Sequence, residues 1–340
     1  MYHDTLLKYK STSLNQLALL CGLPTKTNKR ARVDCLVQGL NMVSKLHPKS
    51  PTILSVDIGI KNFSYCKVKL ADLAEISEPS IVDKWAKVNL HDTYGSDYVP
   101  LLDLDTLIDS KRYINYICKR LVSDIVDTPD IVVMETQRTR SNNNAITLPN
   151  VLLNYTFENI LYANLYNSLP KCVIVPMTST SMINFWINRF VSKESLRKHS
   201  KSSKKIRLQL FFHWLGLSDG PFKLPAEVQD KKSLLKYLDL QKSDKIDDLV
   251  DSLLYNLTIR TQVSNQINLL RWIDKDLNEF IIRRNLSQLN HIYPLIQDLG
   301  LRWHEEFELY IDYFFRANNT LPKIIDENSI CEFKKLSKLQ

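Results

Sequence analysis

Acidic side chains in three separate stretches could do chemistry together: Asp57, Glu135 and the cluster Asp247, Asp248 and Asp251. Asp57 ends the apolar run Ile53-Leu54-Ser55-Val56, and Glu135 ends Ile131-Val132-Val133-Met134. A carboxylate at the end of a buried strand is costly unless it is paired, hydrogen-bonded or bound to a cation. The cluster opens an apolar periodicity carried by Leu249, Val250, Leu253, Leu254 and Leu257. Residues three or four apart share a helix face, so either Asp247 or Asp248 can join Asp251 across one turn. A solvated acidic first turn at the positive end of the helix dipole is the plainer role for the same residues. If the two strands are neighbours and the helix crosses them, four carboxylates meet and cannot all stay charged without cations. Oxygen ligands of this kind suit Mg²⁺ or Mn²⁺. Two such ions about 4 Å apart serve in-line attack on a phosphodiester, one activating water and the other stabilising the leaving oxygen.

The elements that must position these acids follow from periodicity. Strands are expected over 52–58, 62–70 and 80–90 as a meander, with Gly59 permitting close approach in the first turn. Leu102, Leu107, Ile114, Ile117, Leu121 and Ile125 predict a helix over 101–127. A buried strand over 130–135, parallel to the first, leads to a helix over 149–168 and a strand over 172–176. The acid-bearing helix then opens near Asp244. Beyond residue 262 the pattern is helical, with interruptions expected near Pro294 and Pro322 and a frayed tail at Lys334, Lys335 and Lys338. Trp272, Trp303, Phe307, Phe314 and Phe315 are expected in the core or in dimer contacts.

Composition narrows the partners. A net charge of +8 and a pI near 9.0 favour a polyanion such as nucleic acid. The seven glycines form neither GxGxxG nor GxxxxGK[ST], which argues against a nucleotide cofactor. The six cysteines are scattered, without zinc spacing, and read as reduced. No apolar run reaches the length of a membrane span, and the N-terminus has neither a secretory signal nor an Arg-rich transit pattern. Residues 1–45 form a helical unit in which Gly22 and Pro24 stop one helix and Thr27 or Asn28 can cap the next. Lys26, Lys29 and Arg30 crowd that second helix start, as in a phosphate site. The unit resembles a SAP motif, a two-helix DNA-binding module, although the Gly that usually follows the Thr is missing. Pro48 and Pro51 mark residues 46–51 as a linker. A second basic run at 193–207, including Lys201, Lys204 and Lys205, is either a solvated loop or a grip on phosphates.

Three motifs in order carry a wider resemblance: Ser55-Val56-Asp57-Ile58-Gly59-Ile60-Lys61-Asn62, Val133-Met134-Glu135-Thr136-Gln137-Arg138-Thr139-Arg140 and Lys245-Ile246-Asp247-Asp248-Leu249-Val250-Asp251-Ser252. Over residues 52–258 the chain resembles the fungal mitochondrial Holliday junction resolvases, the yeast cruciform-cutting endonucleases related to bacterial RuvC in the ribonuclease H-like superfamily. The resemblance implies an α/β, ribonuclease H-like mixed five-stranded sheet (βββαβαβα) flanked by helices. It implies a SAP-like unit at 1–45, a linker at 46–51, a catalytic domain at 52–260 and a helical extension at 261–340. It further implies a mitochondrial homodimer that binds four-way junction DNA and nicks it symmetrically with Mg²⁺ or Mn²⁺, two ions per site. Asp57, Glu135 and Asp251 would be ligands, with Asp247 or Asp248 the fourth. Lys61 and Asn62 would shape the metal site or contact phosphate, and Gln137, Arg138 and Arg140 would meet the junction backbone or its opened centre. The rival expectations are a nuclease acting on RNA·DNA hybrids and a non-catalytic mitochondrial DNA-binding protein.

Overall fold

Alternation along the central strands divides the core in two. The computed structural model describes residues 2–25, 27–44, 46, 50–101, 107–125, 127–137, 149–198, 203–242, 244–315 and 326–337. The chain begins with α1 (Tyr2–Leu7), α2 (Ser11–Leu20) and α3 (Lys29–Val43). Next come β1 (Thr52–Asp57), β2 (Phe63–Lys69), β3 (Ser80–Val88), α4 (Leu90–Tyr94), α5 (Leu107–Ile125), β4 (Ile131–Glu135), α6 (Pro149–Ser168) and β5 (Val173–Met177). The remainder is α7 (Ser179–Ile183), α8 (Lys193–Lys198), α9 (Ser203–Leu215), β6 (Phe222–Lys223), α10 (Lys231–Tyr237), α11 (Asp247–Trp272), α12 (Leu277–Asp298), α13 (Glu305–Tyr310) and α14 (Glu327–Ser337).

The sheet order is β5-β4-β1-β2-β3-β6. β1, β2 and β3 pair antiparallel, while β4 and β5 lie parallel to β1. The sheet therefore has six strands rather than five. The addition is the two-residue β6, parallel to β3, which is too short to give a periodic signal. Ile53, Ile131 and Val133 join the apolar cluster that contains Leu249, Leu253 and Leu257 of α11, whereas Leu54, Val56, Val132 and Met134 join the cluster of α5 and α6. Strands buried on both faces read as unbroken apolar runs, which is why β1 and β4 stand out.

Helix α11 spans 26 residues and passes through the 260/261 boundary without a break. Its buried polar side chains satisfy backbone around it. The Asn256 amide Nδ2 donates to the carbonyls of Ile53 (3.0 Å) and Cys66 (3.1 Å) and to Ser55 Oγ (3.2 Å). Trp85 Nε1 donates to the Leu249 carbonyl, and Ser64 Oγ to that of Asp248 at 2.6 Å. At the far end, Asn265 and Gln266 donate to the carbonyls of Leu20 and Cys21. Leu14, Leu17, Val33 and Leu36 pack there with Leu269, Ile273 and Phe280. The N-terminal helices are thus built onto α11 and α12, and Asn28 is the residue that caps α3.

Two expectations for the C-terminal part are corrected. Pro294 does not interrupt α12, because Ile292, Leu295 and Ile296 around it are buried and that packing outweighs one missing N–H. Lys334 does not fray, since it pairs with Asp276 (2.5 Å) and Glu279 (3.0 Å). Pro322 and Lys338 lie outside the described residues, as do 102–106 at the start of the expected 101–127 helix. Trp303, Phe307, Phe314 and Phe315 are buried within this chain. Replacing Asn256 by Ala removes its bonds to the Ile53 and Cys66 carbonyls, of which Cys66 keeps Ser55 Oγ as a donor at 3.0 Å, and a buried bond lost in this way costs about 1–3 kcal/mol. The variant is expected to unfold at lower urea concentration with an unchanged slope; an unchanged midpoint would show that the amide does not hold α11 to the sheet.

Candidate active site

The β1–β4 register, which runs from Ile53 beside Ile131 to Val56 beside Met134, carries Asp57 next to Glu135 at the strand ends. Both acids continue the face that α11 covers, since Ile53 and Ser55 precede Asp57 by even steps. The same rung extends sideways, with Asp57 paired to Ser64 and Ser64 paired to Lys87. Ser64 holds the first turn of α11 through the Asp248 carbonyl, so the helix start is fixed above the acidic strand ends. Ile58 follows at once, and its N–H donates to Glu135 Oε2 at 3.2 Å. The turn is tight at Gly59, where a Cβ would meet the Asn62 carbonyl oxygen at 3.3 Å.

Asp57 bears the strain of this arrangement. Burial pushes its pKa well above the usual carboxylate range, and a hydrogen bond with Glu135 and the charges of Glu135, Asp251 and Asp248 push it further. Each helix acid, by contrast, has found a base. Arg207 of α9 grips Asp251 with Nε at 2.6 Å and Nη2 at 2.8 Å. Lys87 reaches Asp248 at 3.1 Å, and Lys204 reaches Asp247 at 2.5 Å. Burial still raises the pKa of Asp251 against the pull of Arg207. Burial acts upward on Asp247 as well, but its hydrogen bond to Lys204 and the charge of Lys204 leave it below the ordinary value. Among the described residues, no three acidic, imidazole or thiol groups form a ready-made metal cluster, and the helix acids are engaged by Lys87, Lys204 and Arg207. The donor set fits a hard divalent cation all the same, being oxygen-only with the repulsion concentrated at Asp57.

Asp57 lies in the field of Glu135, Asp251 and Asp248, and Lys204, the partner of Asp247, feels Asp248 and Asp251 as well. Lys61 and Asn62 stand exposed in the adjoining turn. Gln137 is turned inward, with Nε2 donating to Glu135 Oε2 at 2.8 Å and to the Ile58 carbonyl at 3.3 Å. Lys205 is exposed beside Lys204, while Lys29 and Arg30 lie at the start of α3. Lys26, Arg138, Arg140 and Lys201 fall outside the described residues. Sequence reasoning missed Lys87, which only strand register could reveal, and Glu158 of α6, which accepts the Gln137 N–H at 2.8 Å. It also missed Tyr255, one turn beyond Asp251, whose hydroxyl lies among Glu135, Asp57 and Asp251.

A family model described as "Mitochondrial resolvase Ydc2 / RNA splicing MRS1" matches residues 53–269. The chain is 27% identical over 220 residues to "Cruciform cutting endonuclease 1, mitochondrial" of Saccharomyces cerevisiae, covering 59% of this chain and 61% of that protein. The chain thus spans less than two thirds of that relative's own length. It is 27% identical over 257 residues to the protein of the same name from Schizosaccharomyces pombe, covering 72% and 90% respectively. The crystal structure of the yeast mitochondrial Holliday junction resolvase Ydc2 shares its fold, with a TM-score of 0.51 and 22% identity over 78% of this chain and 98% of that one.

The raised pKa of Asp57 has a stability consequence whose sign is definite. The folded state holds this proton more tightly than the unfolded chain, so stability is full below the unfolded carboxylate pKa, about 3.9, and is lost as pH rises through the higher folded value. Asp57→Asn removes that loss. In metal-free buffer the variant is expected to melt above the wild type at pH 7, with the gap closing toward pH 4; a gap independent of pH would contradict the electrostatic account.

Proposed function

The chain belongs to the mitochondrial resolvase Ydc2 / RNA splicing MRS1 family, and from that premise we propose that it is a mitochondrial, metal-dependent endonuclease that resolves four-way DNA junctions. The family description joins a resolvase to a splicing protein, so membership alone does not choose the reaction. What supports the choice is that Asp57 stands beside Glu135 at the strand ends, in the field of Asp251 and Asp248, so that acids press on one another there. A protein that only bound nucleic acid would gain nothing from holding acids against one another, and acids repel the phosphates it must approach.

In this reading Asp57, Glu135, Asp251 and Asp248 would hold two divalent ions, Mg²⁺ or Mn²⁺. The bound cations supply the charge that activates a water and stabilises the leaving oxygen. The chain's own residues do the rest. Ile58 N–H and Gln137 orient Glu135. Lys204, with its side chain 68% exposed at the rim of the site, can leave Asp247 for a phosphate. Lys61, Asn62 and Lys205 stand where a backbone would pass, and α3 offers Lys29 and Arg30 to a second stretch of duplex.

Paired nicks require two copies of the site. Helix α6 offers a surface for pairing: Leu152, Tyr155, Asn159, Tyr162 and Tyr166 are exposed on its outer side, Tyr166 by 66%. Their spacing alternates three and four, as in the seam of paired helices, and none of them is charged. A second copy of this chain is the occupant that symmetric cutting needs.

Cleavage of an immobile four-way junction, a linear duplex and an RNA·DNA hybrid, each with Mg²⁺ and with EDTA, tests the reaction. Symmetric nicks in the junction alone are expected, abolished by EDTA and by Asp57→Asn while binding persists. Cutting of the hybrid instead would transfer the site to a ribonuclease, and tight binding without cutting under either metal would refute the enzyme reading. For the pairing surface, Tyr155→Arg with Tyr162→Arg should sediment as a monomer with the wild-type melting temperature; a species of unchanged mass would exclude α6 as the seam.

A further inference from the structure

Tyr255 is an anomaly on α11. Its side chain is packed in the main core and only 1% exposed, as suits a residue on the buried face of a long helix. Its hydroxyl, however, completes no hydrogen bond of normal geometry. Ser252, Asn256, Thr258 and Ser264, buried on the same helix, each complete at least one. A buried hydroxyl left unmade costs about 1–3 kcal/mol, and a phenylalanine would fill the same space without that cost. The hydroxyl is also placed in an unusual spot, against Glu135 first, then Asp57 and Asp251. Burial and those three charges drive its pKa far up, so it remains a protonated, neutral donor.

The bonds already made to Glu135 define what is missing. Ile58 N–H and Gln137 Nε2 both reach Oε2, from the strand side, and Asp57 shares a further hydrogen bond with Glu135 whose proton a bound cation would displace. Two donors on one oxygen fix that oxygen and leave the plane of the carboxylate to be set from the opposite side. Tyr255 is on that side, in the α11 layer. Resting on the metal-dependent reading above, we infer that Tyr255 is a positioning residue of this site, whose phenol donates to Glu135 and fixes the carboxylate for a bound divalent cation. A neutral donor suits this place, because it orients a carboxylate without adding positive charge that would compete with the cation, as Arg207 does at Asp251. Donors that orient a ligand in this way contribute about 10–100-fold to metal affinity when removed singly.

The test is Mn²⁺ binding to the full chain without DNA, followed by electron paramagnetic resonance, for the wild type, Tyr255→Phe, Glu135→Gln and the double variant, with metal-free melting curves alongside. Tyr255→Phe is expected to melt at or above the wild-type temperature and to lose roughly 10–100-fold in Mn²⁺ affinity. In the Glu135→Gln background the same change should cost nothing further, because the hydroxyl acts through that carboxylate. Wild-type affinity in Tyr255→Phe overturns the inference and leaves the nuclease reading standing. Equal losses in both backgrounds overturn it too, since the hydroxyl would then act by another route. No Mn²⁺ bound by the wild type overturns the inference and the metal-dependent reading together.

Discussion

One side-chain amide sets the height of a helix above two strands. Asn256 donates to backbone on both β1 and β2, and those are the strands whose ends and turn carry Asp57, Lys61 and Asn62. Since β1 and β4 share a parallel register, fixing α11 against β1 also fixes it against Glu135. Ser64 and Trp85 secure the first turns at the Asp248 and Leu249 carbonyls. A helix free to slide by one residue would rise about 1.5 Å and turn about 100°, taking Asp248 and Asp251 off the sheet's end. The acids of three separate segments meet because polar side chains, not apolar packing alone, decide where α11 stops.

The convergence opposes stability and serves chemistry. Hydrophobic burial beneath the acids is extensive, and it lowers the local polarity that would otherwise soften their repulsion. The chain relieves part of that repulsion with its own cations, Lys87, Lys204 and Arg207, drawn from β3 and α9. These bases differ in commitment. Arg207 is buried and forked onto Asp251, whereas Lys204 reaches in from solvent on a mobile stem and gives up little by leaving. The pattern is graded from the fixed centre of the site to a rim that can rearrange.

Much of this was legible in the sequence. β1 and β4 announced themselves as apolar runs ending in acids, because strands buried on both faces have no alternation to blur. The helical spacing at 247–257 was equally plain, and it brought Asp251 to the site. It could not separate Asp247 from Asp248, since adjacent residues differ by about 100° around the axis and each of the two finds its own lysine, Lys204 and Lys87. Lys87 was illegible because its role depends on the β2–β3 register, which shifts at Lys67/Val68 and cannot be counted from the turn. Tyr255 looked like any aromatic on a buried helix face, and β6 was too short to carry a period. The N-terminal helices were readable as a unit, but their attachment through Asn265 and Gln266 was not, because amides on a helix otherwise read as solvent-facing.

That attachment makes α11 a measuring rod. Asp248 lies near one end and Gln266, which grips the turn between α2 and α3, lies near the other. Eighteen residues of straight helix at about 1.5 Å each separate them by roughly 27 Å. The acidic end of α11 and the N-terminal helices therefore ride on one stiff element, and a shift imposed at either end is carried to the other.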